Sequence, residues 1–244
     1  MERHIQRWFS ENTGQEMGVA RYGWWGKPVV FFPTGGGDFL DCERFLMVKA
    51  LTPLIEAGRI KLYAVDSLSR RSWIDGDVPP AEKVAVQERY DAYLRDELMP
   101  FIHADCGGNT QPAVATGSSI GGYLALSAAA RHPDLFDRMI GMSGTYQMTR
   151  RMGDYWSESY YFHDPCQFLA NMRGGPEHQR LRSKSFFFLG LGRRYENPTY
   201  TNNTAAALSR CGVPHRVEVW GGKSGHDWPT WRTMLPLALD RLVP

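Results

Sequence analysis

Residues Ala115–Gly122 read Ala-Thr-Gly-Ser-Ser-Ile-Gly-Gly, and their spacing restricts the possible folds more than any other stretch of the chain. Ser119 stands between Gly117 and Gly121 in the order G-x-S-x-G. A serine at the tip of a tight strand-to-helix turn is held in a strained backbone conformation, and side chains two positions before and after it would crowd the turn. Glycine at both places removes that crowding. Ser118 fails the same test, because its corresponding neighbours are Thr116 and Ile120.

The pattern has meaning only between a strand and a helix, and its flanks supply both. Gln111–Thr116 is a short apolar run with strand character, and Tyr123–Ala130 is rich in helix formers small enough to pack close to a sheet. The competing reading is a glycine-rich turn without chemistry. The rest of the chain alternates in the same way. An opening hairpin is predicted over about 3–10 and 16–23, and strands at 28–32, 60–65, 137–143, 185–189 and 215–220. Helices are predicted over about 42–57, 80–104, 200–211 and 227–242, with a less regular stretch over 145–183. Such alternation specifies an α/β fold with a mostly parallel sheet covered by helices on both faces. Active sites in such folds gather at the carboxyl ends of the strands. No internal repeat and no linker-like tract divides the chain, so residues 1–244 are expected to form a single domain.

Composition removes several classes of function. The 244 residues carry a net charge of +2, with no block of like charge and no basic patch interleaved with aromatics, which argues against nucleic acid as a partner. No apolar run approaches the length of a membrane span. The four cysteines, Cys42, Cys106, Cys166 and Cys211, lack C-x-x-C spacing, so neither a metal site nor a redox pair is indicated, and no cofactor is called for. Scattered cysteines and an N-terminus without an apolar core make the cytoplasm the expected compartment.

A serine hydroxyl needs an adjacent base to act as a nucleophile. Of the seven histidines, His226 alone lies in a glycine-rich loop, Gly221–Trp228, between the last predicted strand and the last helix. The alternative is that it only caps that helix. The acid is expected on the loop after the preceding strand, where Glu196 is the only carboxylate, with Asp164 the second candidate. Glu196 as a surface or helix-terminal charge remains open. Two backbone N–H donors are needed for a developing oxyanion. Ile120, which follows the nucleophile, is one; Gly36 or Gly37, in the Pro33–Asp38 loop, is expected to supply the other.

With those residues in view, the sequence resembles the esterase D–like and antigen 85–like branch of the α/β-hydrolase superfamily. The resemblance covers nearly the whole chain. It rests on Pro33–Phe39, Ser72-Trp73, Gly117–Gly122, His132–Phe136, Ser143-Gly144 and His226-Asp227-Trp228-Pro229-x-Trp231. It implies an α/β-hydrolase fold without a large lid domain, a Ser119 nucleophile, a His226 base and a Glu196 acid. Two departures bear on substrate class: Gln147 stands where relatives often carry Asp, and Arg193-Arg194 precede Tyr195 where smaller or neutral residues are expected.

Arg70-Arg71, Arg150-Arg151 and Arg193-Arg194 all follow predicted strands, which suggests a basic rim for anionic esters; solvated loop arginines are the plainer alternative. Trp73 and Trp228 are candidates for the wall of a substrate pocket, or for simple packing. The resulting function is hydrolysis of a small-molecule carboxylic ester through an acyl-enzyme. Acyl transfer on the same residues and a non-catalytic binding protein on the same fold are the alternatives. The oligomeric state is not encoded in any of these features.

Overall fold

The computed structural model describes residues 1–194 and 196–243. The chain opens with a hairpin, β1 (Arg3–Ser10) and β2 (Gln15–Tyr22), followed by β3 (Lys27–Phe32), α1 (Asp41–Arg44), α2 (Met47–Glu56) and β4 (Ile60–Val65). A π-helical turn at Arg70–Ile74 leads into α3 (Pro80–Tyr93), which runs through a second π turn, Leu94–Leu98, into α4 (Met99–Asp105). Then come β5 (Ala113–Ser118), α5 (Ile120–Arg131) and β6 (Phe136–Met142). Four short helices fill the irregular stretch: α6 (Thr149–Met152), α7 (Glu158–His163), α8 (Pro165–Asn171) and α9 (Gly175–Lys184). The chain closes with β7 (Phe186–Arg194), α10 (Pro198–Cys211), β8 (His215–Gly225) and α11 (Trp228–Leu242).

The eight strands form one sheet in the order β1-β2-β4-β3-β5-β6-β7-β8. β2 is antiparallel to β1 and to β4, and every pairing from β4 through to β8 is parallel. The central strands are buried along their whole length, as in Ala113–Ser118, because helices cover both faces and neither face is left to water. One apolar cluster lies on the side of α3 and α5, around Tyr63, Trp73 and Tyr123; the other lies under α2 and α11, around Phe31, Leu51 and Leu235.

Local sequence explains most element ends. Pro80, Pro165, Pro198 and Pro229 stand in the first helical turns, where the missing N–H costs nothing. Asp164, Asn197 and Asp227 accept from the N–H groups of Cys166, Thr199 and Thr230 and so cap α8, α10 and α11. The expected helix over 42–57 is broken instead. Leu46 takes a left-handed conformation (φ 61°), which turns Phe45 to stack on Trp228 at 4.7 Å and 9°. Arg232 donates to the Phe45 carbonyl at 3.0 Å. Tertiary contacts here outweigh a local preference for a continuous helix.

The last pairing is offset. Gly192 pairs with Trp220 and Arg194 with Gly225, so that the four residues Gly221–Ser224 face the single residue Arg193. The chain after this offset delivers His226 to the carboxyl ends of the strands.

One polar cluster ties α3 to the far end of α5. The buried Asp91 carboxylate receives Arg131 at 3.1 Å on both oxygens and His132 Nε2 at 2.9 Å. Burial by itself would raise its pKa, but the bonds from His132 and Arg131 outweigh burial and hold it well below the usual carboxylate range. A carboxyl whose folded pKa lies below its unfolded value stabilises the fold above that unfolded value, about 3.9, and loses the contribution as pH falls through the folded one. Asp91→Asn is therefore expected to cost about 3 kcal/mol at pH 7 and to lessen the dependence of stability on pH below about 4. Urea unfolding of both proteins across that range measures it.

Candidate active site

At the carboxyl end of β5 the backbone turns sharply. Ser119 adopts φ 57° and ψ −121°, a region that non-glycine residues rarely occupy, and α5 starts at the next residue. The glycines at both flanks are required by backbone packing. A Cβ on Gly121 would lie 2.5 Å from the Phe32 carbonyl oxygen and 2.6 Å from that of Pro33. One on Gly117 would lie 2.5 Å from the Gly121 carbonyl. The Ser119 peptide is held from β6: its N–H donates to the Met142 carbonyl and its carbonyl accepts from Thr145 N–H, each at 3.0 Å. The side chain is left half-buried at the surface.

His226 follows β8 directly. Its Nδ1 lies 3.4 Å from Glu196 Oε2, and its ring meets the Trp231 ring edge-on at 5.2 Å. The Glu196 carboxylate is 7 % exposed, whereas the imidazole is 34 % exposed. Glu196 is thus shielded on the side of the protein while the imidazole keeps an open side. The other acid candidate is elsewhere. Asp164 is buried as the cap of α8, where Gln167 Nε2 donates to it at 2.9 Å and Tyr160 at 3.4 Å, and burial raises its pKa despite those bonds. Its geometry is that of a structural cap. Two further histidines are committed inside the fold: His132 to Asp91, and His163, which burial pushes down to about 4.

The glycine loop lies against the elbow. A Cβ on Gly35 would be 3.0 Å from Ile74 Cδ1 and 3.9 Å from Ile120 Cγ2. Ile120 is the first residue of α5, so its N–H is one of the amides that no turn of the helix can satisfy. Gly36 has φ 73°, has open space where a Cβ would be, and its N–H makes no hydrogen bond among the described residues. Gly37 differs from expectation. Its N–H donates to Thr34 O at 3.0 Å, closing a turn, so it is not a free oxyanion donor. Its lack of a side chain serves packing instead, because a Cβ there would collide with the Asp41 carboxylate. Asp41, missed by sequence reasoning, organises the loop: it accepts from Thr34 N–H and Oγ1 at 3.2 and 2.8 Å and from Arg44 at 2.7 Å. An acid in the first turn of a helix was the only visible signal for it.

Trp73 is a correction. It is fully buried, its indole N–H donates to Gln87 at 2.9 Å and its ring meets Tyr123 edge-on, so it is a core residue and no pocket wall. Trp228 remains half-buried two residues after His226, stacked on Phe45. Arg193 and Arg194 are both exposed at the end of β7, and the backbone of Arg194 pairs with Gly225, next to His226. Tyr195 lies outside the described residues.

The sequence matches the Esterase family over residues 10–242. The chain belongs to that family. This esterase has no match among curated proteins. Its fold is shared with solved structures of low sequence identity. A ferulic acid esterase is 18 % identical, with 99 % of this chain and 98 % of that one covered and a TM-score of 0.74. An S-formylglutathione hydrolase from Staphylococcus aureus is 16 % identical, with 100 % and 96 % covered and a TM-score of 0.68. MPT51 from Mycobacterium tuberculosis is 18 % identical, with 100 % and 98 % covered and a TM-score of 0.64. The esterase therefore has the α/β-hydrolase fold that its motifs imply, and by family it is an ester hydrolase. Among the described residues no helix is long and apolar enough to cross a membrane.

The two kinds of glycine in this site give different expectations. Gly121→Ala meets backbone that cannot move aside and is expected to destabilise the esterase by about 3 kcal/mol. Gly36→Ala meets open space and carries only the cost of its positive φ, about 1 kcal/mol. Urea midpoints of the two variants against the wild type check the order.

Proposed function

We propose that this esterase hydrolyses small-molecule carboxylic esters through an acyl-enzyme on Ser119, with His226 as general base and Glu196 as the acid that orients it. The observation that carries the reading is the backbone of Ser119. Its strained conformation at a strand-to-helix turn, between two glycines that backbone packing demands, presents a hydroxyl outward at the end of the sheet where the His226–Glu196 pair also arrives.

In the first half-reaction Ser119 Oγ bonds to the ester carbonyl carbon while its proton passes to His226 Nε2. Glu196 at Nδ1 keeps the other ring nitrogen protonated and stabilises the imidazolium. The Ile120 and Gly36 N–H groups face the carbonyl oxygen as it gains charge; each such donor is worth about 3 kcal/mol in the transition state. Collapse breaks the bond to the alkoxy oxygen, which leaves as the alcohol with the proton from His226. Water then repeats the sequence, giving up a proton to His226, and the acid is released as Ser119 recovers its hydrogen. The open side of the imidazole leaves room for that water.

Arg193, Arg194 and Trp228 border this site and would select esters with an anionic group away from the scissile bond and an apolar portion beside the base. The chain works as one domain, and its four unpaired thiols fit the cytoplasm. Labelling with an organophosphonate probe followed by peptide mass spectrometry is expected to place the adduct on Ser119 and to find none in Ser119→Ala. Glu196→Gln should lower kcat by about 10²–10⁴. A folded wild type that takes no label would overturn the reading. With Arg193 and Arg194 both changed to alanine, kcat/KM should fall on anionic esters and hold on neutral ones.

A further inference from the structure

We propose that Ser143 and Trp231 are positioning residues that set the His226 imidazole relative to the Ser119 elbow; the inference rests on the hydrolytic reading above. Ser143 follows β6 and has φ 49°, which makes it, with Leu46 and Ser119, one of the non-glycine residues at positive φ. Glycine would occupy that conformation without strain, as it does two residues after the Trp220 pairing, at Gly222 (φ 66°). A side chain retained against strain points to a contact that over-determines the position.

That contact is buried. Trp231 Nε1–H donates to Ser143 Oγ at 2.9 Å, and both residues are 4 % exposed. An indole N–H at such a site has no water to turn to, so the hydroxyl decides where the indole lies. The Ser143 N–H donates in turn to Gly190 O at 2.7 Å, which fixes the turn to β7. Its neighbours on either side hold the nucleophile, through the Met142 carbonyl and the Thr145 N–H, each bonded to the Ser119 peptide at 3.0 Å. Gly144 brings the same turn against α5, since a Cβ on Gly122 would stand 2.9 Å from its Cα.

On the other side Trp231 meets the His226 ring edge-on, at 5.2 Å and 78°. The Glu196 contact at 3.4 Å is long, and one long contact leaves the imidazole free to swing about its χ2 torsion. The Trp231 edge restricts that swing. The turn Met142–Thr145 thus grips the nucleophile by its main chain and the base through one side chain, and transmits the position of each to the other. Neither Ser143 nor Trp231 needs to touch substrate for this. Displacements well under 1 Å in such a pair change rates by an order of magnitude or more.

The experiment uses Ser143→Gly, which removes the hydroxyl together with the strain, Trp231→Phe, which keeps a ring but not the N–H, and the double variant. Each single change is expected to lower kcat about tenfold with KM within about twofold, and the double variant to be no slower than the worse single one. Melting temperature should stay within a few degrees for Ser143→Gly, because strain relief offsets the lost bond. The His226 ring signals in 15N-edited NMR should broaden or move in all three. Unchanged kcat and unchanged His226 signals would overturn the proposal, as would losses that add in the double variant and follow melting temperature. If the wild type takes no label at Ser119, the hydrolytic reading fails by itself; the His226 signals then still decide, since positioning by Trp231 does not require turnover.

Discussion

Everything at the functional end of this esterase depends on how closely two pieces of backbone approach at the elbow. The carbonyls of Phe32 and Pro33 at the end of β3 stand where a side chain at Gly121 would be, and the Gly121 carbonyl stands where one at Gly117 would be. Backbone oxygens in a buried sheet have no room to retreat, because strands β3, β5 and β6 are locked in register on both sides. The approach fixes α5 against β3, and α5 fixes the Ile120 N–H beside the glycine loop. Ser119 carries the strain that results. Nothing in the elbow is free to adjust, which is the condition under which a weak nucleophile can be held ready.

The imidazole arrives by a looser route. His226 stands after a strand whose register is broken, is one-third exposed, and lies 3.4 Å from the Glu196 carboxylate. A rigid Ser119 turn and a less constrained imidazole arrive at the same edge of the sheet, and β6 lies between their strands. In the order β5-β6-β7-β8 the end of β6 adjoins the strand that leads to Ser119 and is separated by β7 from the one that leads to His226. Its exit turn is bonded to Ser119 on one side and to β7 on the other.

The parts of this arrangement that follow from spacing along the chain were legible in the sequence. Ser119, His226 and Glu196 each sit at the carboxyl end of a predicted strand, and the parallel sheet brings those ends to one edge. The strands themselves were legible because apolar runs such as Val29–Phe32 and Phe186–Leu189 suit only a sheet buried on both faces. What depended on side-chain direction was not legible. Trp73 and Trp228 look alike in sequence, yet one donates to Gln87 in the core and the other stacks at the surface. Gly36 and Gly37 are adjacent and identical, and only the turn closed on Thr34 separates an amide without a partner among the described residues from a used one. The break at Leu46 is invisible locally, since it exists for contacts with Trp228 and Arg232, about 180 residues away along the chain. That Asp164 caps α8 while Glu196 lies against His226 was likewise visible only in the fold.

The offset between β7 and β8 has a consequence for how this protein can change over generations. Gly221–Ser224 leave the ladder after Trp220, and pairing resumes at Gly225, one residue before His226. Length added or lost in that excursion is absorbed before the ladder closes again, so His226 keeps its place while the surface next to it is rebuilt. The fold thereby separates two properties that most surface loops couple, the position of one side chain and the shape of the rim around it. Divergence in the shape of the rim can proceed by insertion there, with the placing of His226 unchanged.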